Sequence, residues 1–207
     1  MRAIDRGGRL TIRQHERRAL LRRQSSQRDN FRISFRSYLR SGLIMTSTRP
    51  ALPMTGGCPC GAIRYQIESF PLLLYSCNCT NCQRTSGSAF ALNMPVAAKD
   101  FRILQGEPKG WRRRSSSGAD VTSWFCGDCG GRIYGERAGR PHSMTLRAGT
   151  LDDTTWLVPI AHMYVRSAQP WVLPALGAEC HETGPDDFRP LAQAWRAMWP
   201  EFFPQKK

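Results

Sequence analysis

The sequence predicts a mostly β fold that is followed by a C-terminal helix and preceded by a basic, disordered extension. Two observations support the β prediction: short segments in which apolar and polar residues alternate, and turn-forming residues about every ten positions. A third observation is that seven of the eight cysteines fall into three tight groups beside the turns. We therefore divide the chain into an extension at 1–50, a cysteine-rich β domain at 51–175 and a tail at 176–207.

Within the β domain, nine segments have the length and composition of short strands. The first, with the sequence AIRYQI, alternates between apolar and polar residues as a half-buried strand does. Regular spacing of many short strands favours a sandwich or a barrel. In chain order the predicted strands are 62–67, 72–76, 88–95, 101–105, 110–114, 121–125, 131–135, 144–148 and 162–165.

The tail has the periodicity of an amphipathic helix of about four turns. Pro190 suits its first turn, where a proline removes no helical hydrogen bond, and Pro200 lies near its end. We expect the apolar stripe to dock on the β core or on a second subunit. Docking on a second subunit would make the protein a homo-oligomer, and both alternatives stay open. The stripe consists of Phe188, Leu191, Trp195, Met198, Trp199 and Phe202.

The positive charge is concentrated outside the predicted domain. The 207 residues carry a formal charge of +14, and residues 1–50 hold 13 arginines against Asp5, Glu16 and Asp29, which places +10 there and +4 in the rest. A folded nucleic-acid-binding domain carries its basic patch within the fold, so this distribution argues against nucleic acid as the partner. No apolar run approaches the length of about 18 residues that spans a membrane, and we expect a cytoplasmic protein.

Three interpretations of residues 1–50 compete. They are a disordered basic arm that binds nucleic acid or anionic membrane, a targeting segment, or sequence that precedes a native start at Met45. A secretory signal does not fit, because the apolar core of such a signal is missing. All three interpretations predict little packed structure, apart from a short basic helix at 12–24.

The three cysteine groups have the spacing of metal ligands. An odd number of clustered thiols, the C-x-C and C-x-x-C spacings and the missing secretory signal favour metal over a disulfide framework. Thiolates select zinc, copper(I) or iron–sulfur clusters, and zinc accommodates both a closed site of four thiolates and an open site of three. The groups are Cys58 and Cys60, then Cys77, Cys79 and Cys82, then Cys126 and Cys129.

Ligand count favours a division of the seven thiols into four and three. Cys77, Cys79 and Cys82 lie close enough in sequence to hold one ion from a single loop. The two outer pairs then join the beginning and the end of the predicted domain through a second ion, which closes a long loop. The alternatives are a partition that leaves one thiol over, and a purely structural three-thiol site whose fourth ligand is His162 or another side chain.

An open three-thiolate site suits an incoming thiol better than a hydrolytic water. Three thiolates leave a bound Zn²⁺ with a net negative charge, which weakens it as a Lewis acid towards water. A metal ion nevertheless lowers the pKa of a thiol enough for the thiolate to bind. The sequence therefore predicts carbon–sulfur bond chemistry, in which a thiol adds to an aldehyde or leaves from its adduct.

Glycines and other residues stand at characteristic positions around the cysteines. The motifs are Gly57-Cys58-x-Cys60-Gly61-Ala62-x-x-Tyr65, Cys77-x-Cys79-x-x-Cys82-x-x-x-x-Gly87-Ser88, Phe125-Cys126-x-x-Cys129-Gly130, Gly149-x-Leu151-Asp152, and His162 followed by Pro170-Trp171. Over about residues 55–173 this pattern resembles the glutathione-dependent formaldehyde-activating enzyme family, which includes the centromere protein V domain.

The resemblance implies a compact β-tent stapled by zinc at two sites. It also implies glutathione as co-substrate and a carbon–sulfur lyase activity, the condensation of glutathione with formaldehyde to S-hydroxymethylglutathione. The ligand sets that it implies are Cys58, Cys60, Cys126 and Cys129 for a structural zinc, and Cys77, Cys79 and Cys82 for a catalytic zinc.

Three side chains, Arg84, Ser88 and His162, are predicted to contact glutathione. Arg84 and Ser88 follow the three-cysteine group and can hold a carboxylate or an amide, with Ser86 and Asn93 as further candidates. His162 can act as a base or as a hydrogen-bond donor to a thiolate, although a lone histidine in an apolar segment is more often structural. The arginine run at 112–114 is predicted to lie in an exposed hairpin, where it can attract an acidic ligand.

Two functions of other classes stay open beside the enzyme that handles a small-molecule thiol and an aldehyde. One is a zinc-stabilised binding module without catalysis, whose affinity would depend on the basic arm and on salt. The other is a zinc–thiol redox sensor, in which oxidation of the thiols releases the ion.

Overall fold

The computed structural model describes residues 50–115, 118–172, 174 and 178–202. The three interpretations of the N-terminal extension and its short helix concern residues 1–49 and lie outside this part of the chain. Within the described residues, eleven strands and two α-helices confirm the prediction of a mostly β fold with a C-terminal helix. Neither of these helices has the length and the apolarity needed to cross a membrane.

The smaller of two sheets is antiparallel and has three strands. They are β1 (Met54–Gly57), β2 (Arg64–Ile67) and β5 (Phe101–Gln105), with β2 in the middle. Tyr65 and Ile67 point from β2 into the core and are fully buried, as the alternation in the sequence predicts. Strand β1 was missed, because two of its four residues are glycines, which are poor strand formers.

The larger sheet has eight strands and is mixed. Strand β10 runs parallel to both of its neighbours, and the other neighbouring pairs are antiparallel. The strands across the sheet are β11 (Glu179–His181), β10 (Ala161–Met163), β3 (Tyr75–Cys77), β4 (Ala91–Ala97), β9 (Ser143–Arg147), β8 (Arg132–Arg137), β7 (Asp120–Phe125) and β6 (Lys109–Arg114).

All nine predicted strands are present, but several of their ends differ. The strand predicted at 72–76 is β3, which begins only at Tyr75, because Leu73 and Leu74 enter the core from irregular backbone before it. The strand predicted at 162–165 is β10 and ends at Met163. The next residue, Tyr164, adopts a left-handed backbone with φ of 56°, and a 3-10 turn follows at Val165–Ser167.

The two helices are α1 (Thr80–Ser86) and α2 (Arg189–Met198). Helix α1 follows β3 almost directly, so the prediction of a simple loop around the three clustered cysteines is wrong. Its seven residues are too few to produce an apolar periodicity in the sequence. Helix α2 carries Pro190 in its first turn, as predicted, and is followed by a 3-10 turn at Pro200–Phe202.

Helix α2 docks on the β core through an aromatic cluster. Trp195 is fully buried, and its Nε1 donates a hydrogen bond of 2.8 Å to the carbonyl oxygen of Pro71. Its ring stacks on Phe70 with 5.7 Å between ring centres, and Phe202 stacks on the same phenylalanine at 4.1 Å. Since Phe70 precedes β3, the tail is packed against the segment that leads into the three-cysteine group.

An ion pair fastens the small sheet to the segment that follows β9. Asp152 accepts hydrogen bonds from Nη1 of Arg64 at 2.9 Å, from Nη2 of the same arginine, and from Oγ1 of Thr55 at 2.6 Å. The Arg64 guanidinium and then the Thr55 hydroxyl lower the pKa of Asp152 below its ordinary value. A backbone bridge between Gly56 and Leu151 reinforces the same junction.

We predict that Trp195→Ala lowers the free energy of unfolding by about 3–5 kcal/mol, because it removes the largest side chain of the buried cluster and leaves a cavity. Trp195→Phe keeps a ring but loses the bond to Pro71, so its cost should be about 1–3 kcal/mol. Urea unfolding at a fixed zinc concentration measures both. The control Gln193→Ala changes an exposed residue of the same helix and should stay within about 0.5 kcal/mol of the wild type. A cost below about 1 kcal/mol for Trp195→Ala would contradict the docking of α2.

Candidate metal centres

The first and the last cysteine pair meet in space, although residues 61–125 lie between them. The four sulfur atoms of Cys58, Cys60, Cys126 and Cys129 all lie within 4.8 Å of one another. The Sγ atom of Cys60 is 3.4 Å from that of Cys58 and 3.7 Å from that of Cys126. A disulfide has a sulfur–sulfur distance of about 2.05 Å, so the four thiols are in contact without being bonded.

Two similar turns present these four thiols. In each turn a glycine amide donates to the carbonyl of the first cysteine of the pair: Gly61 to Cys58, three residues earlier, and Gly130 to Cys126, four residues earlier, both at 3.0 Å. Gly61 and Gly130 have φ of 79° and 72°, a left-handed conformation that a side chain disfavours. The turn also directs the amide of Ile63 at the Cys58 sulfur, at 3.2 Å, where it can stabilise a thiolate.

The other three clustered cysteines form a second group at the end of β3. The sulfur atoms of Cys77, Cys79 and Cys82 lie within 4.8 Å of one another, and all three residues are buried. Cys77 is the last residue of β3, and Cys79 is the N-cap of α1. The backbone amide of Cys82 donates to the Cys79 sulfur at 3.4 Å, so the cap of the helix also fixes a candidate ligand.

The surroundings of the three-thiol group are partly apolar. Ala91 is buried against the thiols, and the rings of Tyr75 and Tyr164 pack on the same cluster. Asn93 approaches from β4, with its Nδ2 4.0 Å from the Cys82 sulfur. Burial, followed by the nearby thiols, raises the pKa of both tyrosines, which keeps them neutral walls of the group at ordinary pH.

The four-thiol group shares its protons unequally. Burial alone raises the pKa of Cys58, but the Ile63 amide and the neighbouring thiols outweigh it and lower the value to about 6. For Cys60, the Ala62 amide lowers the pKa, but the thiols of Cys58 and Cys129 raise it to about 12. Mutual repulsion therefore prevents all four thiols from ionising together unless a cation lies between them.

In the three-thiol group the same repulsion acts between thiols that are all buried, whereas two of the four other thiols are exposed. The thiols of Cys79 and Cys82, followed by burial, raise the pKa of Cys77. Hydrogen bonding to Cys77 lowers the pKa of Cys82, but Cys79 and burial outweigh this and raise it. Buried thiolates of equal charge in such proximity require a positive partner.

Both groups fit the requirements of Zn²⁺. A zinc–sulfur bond of about 2.3 Å with tetrahedral angles places two ligand sulfurs about 3.8 Å apart, which is close to the distances in the four-thiol group. Amide N–H groups point at Cys58 and Cys79, as expected around thiolate ligands. The four-thiol group can complete a tetrahedron by itself, whereas the three-thiol group supplies one ligand fewer.

The side chains predicted to bind glutathione occupy different environments. Arg84 is exposed in the last turn of α1, and Ser88 is exposed just beyond that helix. His162 is buried on β10, where its Nδ1 lies 2.6 Å from the hydroxyl oxygen of Ser76, and burial lowers its pKa. It pairs in register with Ser76, the neighbour of Cys77, and alternation along a strand directs adjacent side chains to opposite faces. His162 is not one of the groups that meet at the three thiols.

Sequence reasoning missed two residues at this group. Arg147 donates from Nη1 to Oδ1 of Asn93 at 2.5 Å, which orients that amide towards Cys82. Tyr164 reaches the thiols from the left-handed turn after β10. The alternation of buried Leu146 with half-buried Arg147 is a signal in the sequence, but it does not reveal what the arginine faces.

A β fold with one group of four thiols and one of three defines a class of small cysteine-rich proteins whose thiols can serve as metal ligands. A family model described as "Glutathione-dependent formaldehyde-activating enzyme" matches residues 53–167. This match spans more than half of the chain and every residue of both thiol groups, and the chain belongs to that family. The resemblance predicted from the cysteine motifs is thereby confirmed.

Among solved structures, the chain is similar to a protein of Rhodobacter sphaeroides whose crystal structure was determined by structural genomics. The two are 23% identical, with a TM-score of 0.39. The alignment covers 48% of this chain and 88% of the bacterial protein.

Proposed function

We propose that this protein is a zinc-dependent enzyme that joins glutathione, or another thiol, to formaldehyde or a related aldehyde. This is the carbon–sulfur lyase activity of an S-hydroxymethylglutathione synthase. The observation that supports it is the contrast between the two thiol groups, since one offers four ligands and the other offers three. Family membership supports the identity of the two substrates.

The four-thiol group is proposed to have a purely structural role. It connects the turn before β2 with the turn after β7, and thus the small sheet with the large one. A metal ion that closes so long a loop stabilises the fold mainly by restricting the unfolded chain. Cys58 and Cys126 are buried and hold the core side, while Cys60 and Cys129 lie at the surface.

The three-thiol group is proposed as the catalytic centre, with Cys77, Cys79 and Cys82 as ligands. A zinc ion bound there supplies a position at which an incoming thiol loses its proton at neutral pH. The capping bond to Cys79 and the amide of Asn93 keep two of the sulfurs oriented. Tyr75 and Tyr164 pack around the thiols and limit the access of water.

The three other predicted contacts keep distinct proposed roles. Arg84 and Ser88, exposed on the segment that supplies two of the thiols, are proposed to contact the outer part of glutathione. His162 is proposed to have an indirect role, because its hydrogen bond to Ser76 positions β3, the strand that ends in Cys77. Reduced thiols in both groups suit a reducing compartment, so we place the protein in the cytoplasm.

The proposed reaction is an addition that needs no oxidant. The thiol sulfur forms a bond to the aldehyde carbon while the π pair of the C=O bond moves to oxygen. That oxygen takes up a proton equivalent to the one lost by the thiol, so the atoms of the two substrates balance those of the adduct. Because nothing is oxidised or reduced, the reverse reaction releases both substrates unchanged.

We predict that the purified protein contains two zinc ions and that Cys79→Ala contains one. Removing one of three ligands should abolish tight binding at that group while the four-thiol group keeps its ion. Zinc per chain is measured by mass spectrometry, and circular dichroism checks that the fold is retained. The matched control Cys180→Ala removes a cysteine outside both groups and should keep two ions. Two ions in Cys79→Ala would rule out the ligand set, and a collapsed fold would assign a structural role to the second site.

We also predict that the protein accelerates the interconversion of glutathione plus formaldehyde with S-hydroxymethylglutathione. Exchange NMR with ¹³C-formaldehyde measures this rate above the spontaneous background. Cys79→Ala should lower the catalysed rate by ~100-fold or more, because a metal ion contributes several kcal/mol to such a step. Cys180→Ala should retain the wild-type rate. A wild-type protein with two zinc ions and no acceleration would refute this activity.

A further inference from the structure

Three arginines of the large sheet lie close enough to interact electrostatically, and none has an acidic partner among the described residues. Arg113 belongs to β6, Arg132 begins β8 and Arg147 ends β9, and each is half-buried. None of the ion pairs among the described residues involves any of the three. Unpaired guanidinium groups on a partly buried sheet face are costly, so their position needs an explanation.

A short chain of contacts links these arginines to the thiols. Asn93 and Arg147 face each other in the register of β4 and β9. The arginine donates to Oδ1 of the asparagine at 2.5 Å, and the same amide places its Nδ2 4.0 Å from the Cys82 sulfur. Arg147 is thus one side chain away from the candidate catalytic thiols.

Arg132 continues this positive surface towards solvent. Its guanidinium carbon lies 5.9 Å from the ring centre of Trp111, which is 50% exposed. Burial lowers the pKa of Arg132, and the charges of Arg147 and Arg113 lower it further, whereas Cys82 acts in the opposite direction. The three guanidinium groups and the thiol therefore share one electrostatic environment.

Two of the arginines have buried nitrogen atoms without a hydrogen-bond partner among the described residues. They are Nη2 of Arg132 and Nε of Arg113. Nη1 of Arg113 donates to the carbonyl oxygen of Arg114, at 3.4 Å, so this contact does not involve the buried Nε. Buried donors are nearly always satisfied in folded proteins, and paired guanidinium donors match the two oxygens of a carboxylate.

We propose that Arg132 and Arg147 bind a carboxylate of the thiol substrate, and that Arg113 adds a third positive charge. Trp111 forms the wall of this subsite, and the exposed face of its ring admits the ligand. The subsite rests on the proposed function only for the identity of the thiol. The site would select thiols that carry a carboxylate close to the sulfur, such as glutathione, over neutral thiols.

The distances available in the ligand suit this arrangement. In glutathione the carboxylate of the glycine is about two residues from the sulfur, a reach of at most ~7 Å in an extended chain, and the carboxylate of the γ-linked glutamate lies a few bonds further away. Strands β9 and β8 are neighbours, about 4.8 Å apart, and long arginine side chains bridge the rest. A sulfur at the three thiols and a carboxylate at Arg147 and Arg132 are therefore within reach of one molecule.

The test separates the carboxylate subsite from the chemistry by using S-methylglutathione, whose sulfur cannot ionise. Isothermal titration into the full-length protein should give saturable binding that weakens with added salt. Arg132→Met should weaken it at least ~10-fold, because charged hydrogen bonds are lost, and Arg113→Gln should weaken it several-fold. The matched control is Arg112→Gln, which removes the same charge from the neighbouring position of β6. Its affinity for S-methylglutathione should stay within about twofold of the wild type, because adjacent residues of a strand face opposite sides of the sheet.

Arg132→Met and Arg113→Gln should both retain the zinc content and the circular dichroism spectrum of the wild type. Each removes a charge that has no acidic partner among the described residues, and neither changes a cysteine of the two thiol groups. Equal affinity of Arg132→Met, Arg113→Gln and wild type for S-methylglutathione would overturn the proposal, and so would absence of binding to the wild type. These outcomes are independent of turnover. Arginine-dependent binding without acceleration of the glutathione–formaldehyde reaction would reject the proposed activity alone. Acceleration combined with arginine-independent binding would reject the subsite alone.

Discussion

The structure depends on the contact between two cysteine pairs that residues 61–125 separate. Four sulfurs within 4.8 Å of one another bring the turn before β2 against the turn after β7, and so hold the small sheet against one end of the large sheet. Thiols at this distance repel one another as soon as more than one ionises, which the opposite pKa shifts of Cys58 and Cys60 express. Such a junction is stable only with shared protons or with a cation, so a metal ion bound there would couple its binding to folding.

The three-thiol group is held in a different way, because its cysteines lie in one short segment and close no long loop of the chain. Strand β3, the cap of α1 and the amide of Asn93 position its sulfurs by hydrogen bonds and packing. The aromatic docking of α2 on Phe70 supports the segment that leads into β3. Neighbouring elements already fix the three thiols, so a metal ion held there would keep its fourth position for an exchangeable ligand. This difference in support is the physical basis of the two roles that we propose for the two thiol groups.

The sequence predicted features that depend on local spacing and missed those that depend on register. Cysteine spacing was sufficient for both thiol groups, and the period of Leu191, Trp195 and Met198 was sufficient for α2. Helix α1 was missed because its N-cap Cys79 and its Cys82 belong to the cysteine motif, and because its seven residues are too few for an apolar repeat. Strand β11 has three residues and no apolar alternation, so only its pairing with β10 identifies it. The meeting of Arg132 with Arg147 likewise requires the order of β8 and β9, which no local pattern contains.

Charge explains why these arginines belong beside a three-thiol group. Three thiolates outweigh a divalent cation, so the group would stay negative even with an ion bound and would repel an incoming anionic sulfur. An acidic side chain paired with an arginine would neutralise its positive charge, but Arg132 and Arg147 have no acidic partner among the described residues. Their field acts in a partly buried space, where it is screened less than at the surface. The unpaired charges of these arginines destabilise the free protein. They also offset the repulsion that an acidic thiol meets on approach, which is a reason for the fold to keep them unpaired.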